Sequence, residues 1–294
     1  MNKTPRVYCY GEVLWDCFPD REILGGAPFN VAFRLNELGA DVQVISAVGD
    51  DSRGQHALRG MSEFGLTTGL VTLHKDLETG YVQVHLDQSG AATYTITEPV
   101  AWDRIPASIN DLQQSSILIF GSLALRQEFN KEQLQKLLGH CDFCVFDINL
   151  RPPHYEMDYL VSLLPQCDCL KLNEEELPML LDRLNITTTG LEQQLIKLSE
   201  ASGVSTICVT LGADGAALWH NEKLYNQPGF PAQVADTVGA GDSFLAGLVY
   251  KLFIENTRAE VALEFGCALG SLVASKAGAT ATVTLEEIND LLQL

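Results

Sequence analysis

The segment Asp236-Thr237-Val238-Gly239-Ala240-Gly241-Asp242 runs directly into an apolar, helix-forming stretch, Ser243 to Tyr250, and this junction has the makings of a phosphate site. Small residues at 239 to 241 leave their backbone N–H groups unobstructed. In the first turn of a helix such donors lack intrahelical partners and sit at the positive end of the dipole, so they attract an anion. Asp242, at the end of the turn, is placed to take a proton from a hydroxyl. A phosphate cradle (Gly239, Ala240, Gly241) beside a carboxylate base is what phosphoryl transfer requires. An acid here can also simply cap a helix; the second acid, Asp236, on the other side of the turn favours the chemical reading. There is no G-x-x-x-x-G-K-[ST] loop and no D-F-G or H-R-D motif, so any use of ATP has to run through this anion hole. Two cations, Arg151 and Lys171, are each expected just after a sheet strand; Arg151 is the better phosphate ligand because a guanidinium binds in bidentate fashion.

Such groups need a rigid frame, and the chain supplies the pattern of one. Short runs rich in β-branched residues at Val7–Tyr10, Val42–Val48, Ile117–Phe120, Cys144–Ile148, Thr206–Thr210 and Ala216–Trp219 alternate with helical periodicity at 29–38, 54–64, 131–138, 159–164, 174–181, 191–200, 242–253 and 259–275. That alternation predicts an α/β fold, a Rossmann-type, mostly parallel sheet sandwiched by helices, with ligands outside the carboxyl ends of the strands. Residues 80–97 break the pattern: Tyr81, Val82, Val84 and Leu86, a turn at Asp87-Gln88-Ser89-Gly90, then Ala92, Tyr94 and Ile96 read as a hairpin of period two. It cannot lie in the parallel sheet, and is expected to project over the cleft as a lid. Residues 1–294 are thus read as one α/β domain with a β lid inserted at 80–97.

Of the 294 residues, 46% are hydrophobic and 19% charged, a globular composition. The formal net charge of -19 disfavours nucleic acid and anionic membranes as partners and suits a cytoplasmic protein. No run approaches the roughly 20 apolar residues of a membrane helix. The opening Met1 to Arg6 lacks the apolar stretch of a signal peptide, so the mature chain is expected to start near Met1. The eight cysteines are expected to be thiols in a reducing compartment. Cys141 and Cys144, with Cys167 and Cys169, raise a zinc or redox site, but Cys144 opens an apolar run and the C-x-C spacing of the second pair suits neither. They read as small buried hydrophobes.

The motif at 236–242 resembles the second signature of the PfkB, or ribokinase-like, carbohydrate kinases, and Gly25-Gly26-Ala27-Pro28-Phe29-Asn30 resembles their sugar-binding signature. Further matches follow in order: Gly11-Glu12-Val13-Leu14-Trp15-Asp16, the hairpin, Asp147-Ile148-Asn149-Leu150-Arg151, Asn173-Glu174-Glu175-Glu176 and Thr210-Leu211-Gly212-Ala213-Asp214-Gly215. The resemblance implies an ATP- and Mg2+-dependent sugar kinase with Asp242 as base. Asp16 would lie just past the first strand and, with Gly26, Asn30 and Asn149, hold the sugar; a carboxylate accepts from two hydroxyls and an amide both donates and accepts. Asn173 and Glu176 would organise hydrated Mg2+, as hard oxygens suit that ion, although the same pair also fits a helix cap. Thr210, Gly212 and Gly215 would border the ATP phosphates and ribose, with adenine between that turn and the helix around Gly266 to Gly270. Asp236, Thr237 and Gly278 resemble loops that bind K+ through carbonyls.

Within the family the motifs are most similar to fructokinases; the rival is a kinase for 2-keto-3-deoxygluconate. That substrate's carboxylate would call for basic residues under the lid, whose strands hold only His85, which favours a neutral sugar phosphorylated at a primary hydroxyl. Another small-sugar or nucleoside kinase of the family and a non-catalytic sensor are the remaining alternatives, and the sensor is expected to have lost the base or the anion hole. Lids of the family often pair across a two-fold axis, so the resemblance also implies a homodimer through the lid.

Overall fold

The computed structural model describes residues 4–86, 92–113 and 115–293. Its strands in chain order are β1 (Arg6–Tyr10), β2 (Leu14–Cys17), β3 (Glu22–Gly25), β4 (Val42–Gly49), β5 (Val71–His74), β6 (Tyr81–Leu86), β7 (Ala92–Ile96), β8 (Ser116–Gly121), β9 (Phe143–Asp147), β10 (Cys169–Asn173), β11 (Thr206–Thr210), β12 (Ala216–His220) and β13 (Lys223–Gln227). The helices are α1 (Ala27–Glu37), α2 (Ser52–Glu63), α3 (Glu128–Leu138), α4 (Met157–Leu163), α5 (Glu176–Arg183), α6 (Leu191–Ser202), α7 (Ala240–Val249), α8 (Ala259–Ala274) and α9 (Leu285–Leu292).

Among the described residues, nine strands form one sheet in the order β13-β12-β11-β10-β9-β8-β1-β4-β5. It is parallel from β11 to β5, and β12 and β13 extend it as an antiparallel edge. Because successive side chains of a strand point to opposite faces, Val7 and Cys9 of β1 pack with Phe29 and Val31 of α1 and Leu245 of α7. Tyr8 and Tyr10 face the other way, into a core with Leu134 and Leu137 of α3 and Leu180 of α5. Both faces are buried, which is why the strands read as near-continuous apolar runs.

A second sheet, in the order β3-β2-β6-β7, carries the expected hairpin. β6 and β7 are antiparallel, with Val82 opposite Ile96, and β6 lies parallel to β2 with Asp16 opposite Val82. The hairpin is therefore half of a four-stranded layer rather than a free flap. β2 and β3 escape the sequence pattern because each has four residues, too few to show alternation. The expected turn at 87–90 lies outside the described residues. Arg53 of α2 ties this layer to the main body: its guanidinium stacks over Tyr81 at 4.5 Å and pairs with Glu22, and its carbonyl accepts from Trp15 Nε1 at 3.1 Å.

Three further strands and one helix were not legible. β5 has four residues; β10 has a lysine within its apolar run; and β13 follows a tight turn in which Asn221 and Glu222 both have positive φ, the geometry of a two-residue hairpin loop. α9 is announced by a capping box: Thr284 Oγ1 accepts from Glu287 N, and Glu287 Oε2 accepts from Thr284 N. α7 starts at Ala240, two residues earlier than expected, and passes into a π turn at Tyr250–Ile254.

α7 is buried from Asp242 to Val249, so it needs a close neighbour on its outer side, and glycines on α8 provide the room. A Cβ on Gly266 would lie 3.0 Å from the Phe244 carbonyl oxygen and one on Gly270 3.1 Å from that of Ala240. These glycines give α7 its room, and neither lines the cleft described below. Gly266→Val should force the helices apart and cost about 1–3 kcal/mol; a thermal melt checks this, and an unchanged Tm would show the contact to be slack.

Candidate active site

The chain crosses from one half of the main sheet to the other between β1 and β8. At such a switch point the loops leave in opposite directions and open a crevice. Here the crevice is a cleft of about 570 Å³, roofed on one side by Leu14, Val82 and Ile96 of the small sheet. It gathers Asp16, Gly26, Asn30, Asn149, Arg151, Asn173, Thr210, Asp236, Thr237, Gly239, Gly241, Asp242 and Gly278 from the sequence-derived set. Ala240, Glu176, Gly212 and Gly215 do not line it.

At one end stands Asp242, in the first turn of α7. Gly239 caps that helix at φ 77, and a Cβ on it would fall 2.3 Å from the Cβ of Ala279, so both backbone geometry and packing demand glycine. Asn30 donates from Nδ2 to Asp242 Oδ2 at 2.8 Å. Burial pushes the Asp242 carboxyl up to about 6, with the charge of Asp147 adding to the rise, while the Asn30 hydrogen bond, Lys171 and Arg151 oppose it. Near neutral pH this group is ionised but close to its titration, a state suited to a general base.

Asp16 is not just past the first strand of the large sheet; it belongs to β2 of the small one. Its carboxyl is pushed up to about 6 by burial, against the pull of Arg151. Gly26, φ 114, lets the turn before α1 pass so close to Glu12 that a Cβ would sit 2.3 Å from the Glu12 carbonyl oxygen. Glu12, 4% exposed, also lines the cleft. Its Oε1 accepts from Ala27 N at 3.3 Å, and burial lifts its carboxyl to about 7.

Lys171 does not follow its strand either. It lies inside β10 between Leu170 and Leu172, buried, with Nζ 3.0 and 3.2 Å from the two carboxylate oxygens of Asp147. A Cβ on Gly241 would lie 3.4 Å from that nitrogen, so the ammonium is directly beneath the glycine turn. Its pKa is raised because the attraction of Asp147, Asp242 and Glu176 outweighs desolvation, the largest single influence. A lysine interrupting an apolar strand was the available signal. Arg151 is exposed at the cleft, and its Nη1 donates to its neighbour's carbonyl, Leu150 O, at 3.0 Å.

Asn173 and Glu176 form the local cap. Asn173 Oδ1 accepts from the N–H groups of Glu175 and Glu176, and in return Glu176 Oε2 accepts from Asn173 N while Oε1 accepts from Leu150 N at 2.7 Å. Glu176 thereby fastens the ends of β9 and β10 together. Gly215 is buried against Gln227, and a Cβ would meet that carbonyl oxygen at 2.0 Å; Gly212 is exposed beside Glu174. Asp236 spans two loops, accepting from Val238 N at 3.0 Å and Gly278 N at 3.1 Å. The eight cysteines are free, and burial pushes the thiol of Cys144 up to about 12.

A fructokinase of Klebsiella pneumoniae is 27% identical over 260 residues, 83% of each chain. The fold is shared with the fructokinase of Xylella fastidiosa crystallised with ATP (TM-score 0.86, 24% identity, 99% of both chains). It is shared also with that of Vibrio cholerae O395 bound to fructose, ADP and calcium (TM-score 0.85, 22% identity, 98% of this chain and 99% of the other). The family model for pfkB carbohydrate kinases matches residues 4–286. With the glycine turn, the buried aspartate and Asn30 meeting in one cleft, the chain belongs to the pfkB family of carbohydrate kinases.

Proposed function

We propose that the chain phosphorylates a neutral sugar with ATP, converting fructose to fructose 6-phosphate. The observation that carries this reading is Asp242, buried at the mouth of α7 and bonded to Asn30. Asp242 takes the proton of the sugar's primary hydroxyl as that oxygen attacks the γ-phosphorus. The bond from the γ-phosphorus to the bridging oxygen breaks, and ADP leaves with the electron pair. Backbone N–H groups at Gly239 and Gly241, which line the cleft, receive the charge spread over the transferring oxygens, while that of Ala240 donates to Thr237 O at 3.2 Å and shapes the turn. Lys171 supports that turn from below and Arg151 reaches the phosphates from the opposite wall.

At the sugar end Asp16, Asn30 and Asn149 offer hydrogen bonds to hydroxyls. The carboxylate of Asp16 would repel a sugar acid, and the relatives named fructokinase support a ketohexose. Thr210, with Gly212 and Gly215 behind it, borders the nucleotide. Hydrated Mg2+ would sit beside the phosphates near Asn173, which lines the cleft, while Glu176 lies behind it and fixes the ends of β9 and β10 by accepting from Leu150 N and Asn173 N. Bound there, the ion would offset phosphate charge. The carboxylate of Asp236, with carbonyls at Thr237 and Gly278, suits K+. The small sheet works as the lid, and two copies pair through its exposed edge, strand β7, to form a dimer. Such a protein would serve in the cytoplasm.

Asp242→Asn keeps the shape but cannot accept the proton, so kcat should fall by about 100-fold or more with sugar affinity largely kept; near-normal turnover in a coupled ADP assay would refute the base. With the Asp242 carboxyl at about 6, the protonated, inactive form gains below that pH. The kcat/KM profile should therefore fall at least tenfold per unit toward acid, and Asp242→Asn should keep only the shallower limb set by Asp16, whose carboxyl also lies at about 6. Val82 and Ile96 face the cleft, so Val82→Asp should raise sugar KM without changing sedimentation. A dimer that falls apart in that variant, or a wild type that sediments as a monomer, would count against the edge-strand pairing.

A further inference from the structure

Arg34 of α1 is 1% exposed and has no part in the reaction as described so far. It lies four residues after Asn30, on the same face of the helix. Whereas Asn30 holds Asp242, Arg34 Nε donates to Ser243 Oγ at 3.3 Å. Nη2 donates to the carbonyl oxygens of Ala279 at 3.1 Å and Ala281 at 3.0 Å, and Nη1 pairs with Glu37. The guanidinium therefore stands behind the first turn of α7. Ser243 adjoins Asp242, and Ala279 is the residue against which Gly239 packs.

As a stabilising device this is a poor arrangement. Taking a guanidinium out of water is costly, and a positive charge near the N-terminus of a helix opposes the dipole. Burial pulls the Arg34 pKa down, and Glu37 only partly offsets it. An apolar side chain of similar length would fill the space. The charge turns favourable once an anion occupies the other side of the same helix end, because guanidinium and dipole then act with one sign on it.

We propose that Arg34 is a positioning residue for phosphoryl transfer. From behind α7 it holds Ser243 and the 279–281 segment against the glycine turn, and it adds positive potential where phosphate charge collects, without touching the phosphate. This rests on reading Gly239 to Asp242 as the phosphate site.

The test compares ADP with adenosine, its phosphate-free counterpart, by calorimetry on wild type, Arg34→Met, Arg34→Lys and Glu37→Gln, with sugar kinetics and melting alongside. Arg34→Met should weaken ADP binding and lower kcat by about tenfold, leaving adenosine affinity and sugar KM within about twofold. Arg34→Lys should recover most of the loss. Glu37→Gln, which frees the guanidinium of its counter-charge, should tighten ADP about two- to threefold. Equal losses for ADP and adenosine with a lowered Tm would reduce Arg34 to packing. If Arg34→Met does not fold, Glu37→Gln decides, and unchanged ADP affinity there overturns the proposal. A wild type that shows this ADP pattern yet phosphorylates no sugar would fault the assigned reaction and uphold the role of Arg34.

Discussion

The hydrogen bond from Asn30 to Asp242 joins residues 212 positions apart, and the cleft is organised around it. It ties the first turn of α1, which follows the Gly25-Gly26 loop, to the first turn of α7, which follows the Gly239–Gly241 turn. Buried and charge-assisted, such a bond is worth about 1.5–3 kcal/mol, but its geometric effect matters more. It fixes one carboxylate oxygen, Oδ2, of Asp242 at the cleft. Arg34, one turn further along α1, repeats the grip on Ser243, so two successive residues of α7 are held by two successive turns of α1.

The electrostatics of the cleft follow from packing acids into it. Glu12, Asp16 and Asp242 all have carboxyls raised by burial. For Asp242 the rise from 3.8 to about 6 corresponds to about 3 kcal/mol against the ionised form. Lys171 and Arg151 keep that cost from growing, and Lys171 is itself locked by Asp147. Sugar hydroxyls would do the rest, because each donates to a carboxylate that water reaches poorly. A site of this kind favours a polyhydroxylated neutral ligand for the same reason that it holds a base near its working pH.

The parts of this site that were legible in the sequence are those fixed by local chemistry. A glycine turn entering an apolar helix, and the Gly25-Gly26 turn ahead of Asn30, carry their function within a few residues, and the fold places both on the cleft. What escaped depends on distant pairing. β2 and β3 make sense only beside β6, so Asp16 was expected on the wrong sheet. Lys171 looked like a residue after a strand because its charge breaks the apolar run of β10, yet its partner Asp147 makes burial possible. Gly215, Gly266 and Gly270 carry the same letter as the cleft glycines but serve close packing, a difference that only contacts reveal. Arg34 gave no signal, since a single arginine in an amphipathic helix ordinarily points to water.

The order of the sheet explains why sugar and phosphate chemistry can coexist without interfering. β1 lies at the switch point, and the chain leaves its carboxyl end to build β2, β3 and the start of α1, one wall of the cleft, before returning to β4. The other wall is delivered from the far end of the chain, by α7 and the 278–281 loop. The two walls meet at Asn30–Asp242 and Arg34–Ser243, while β2 and β3 lie away from those contacts, paired with each other and with β6. Substitutions at Leu14, Ile23 or Val82 can therefore reshape the sugar end while the base and the anion turn stay fixed. Separating the two walls in this way lets one scaffold hold its transfer chemistry constant and vary the alcohol it accepts.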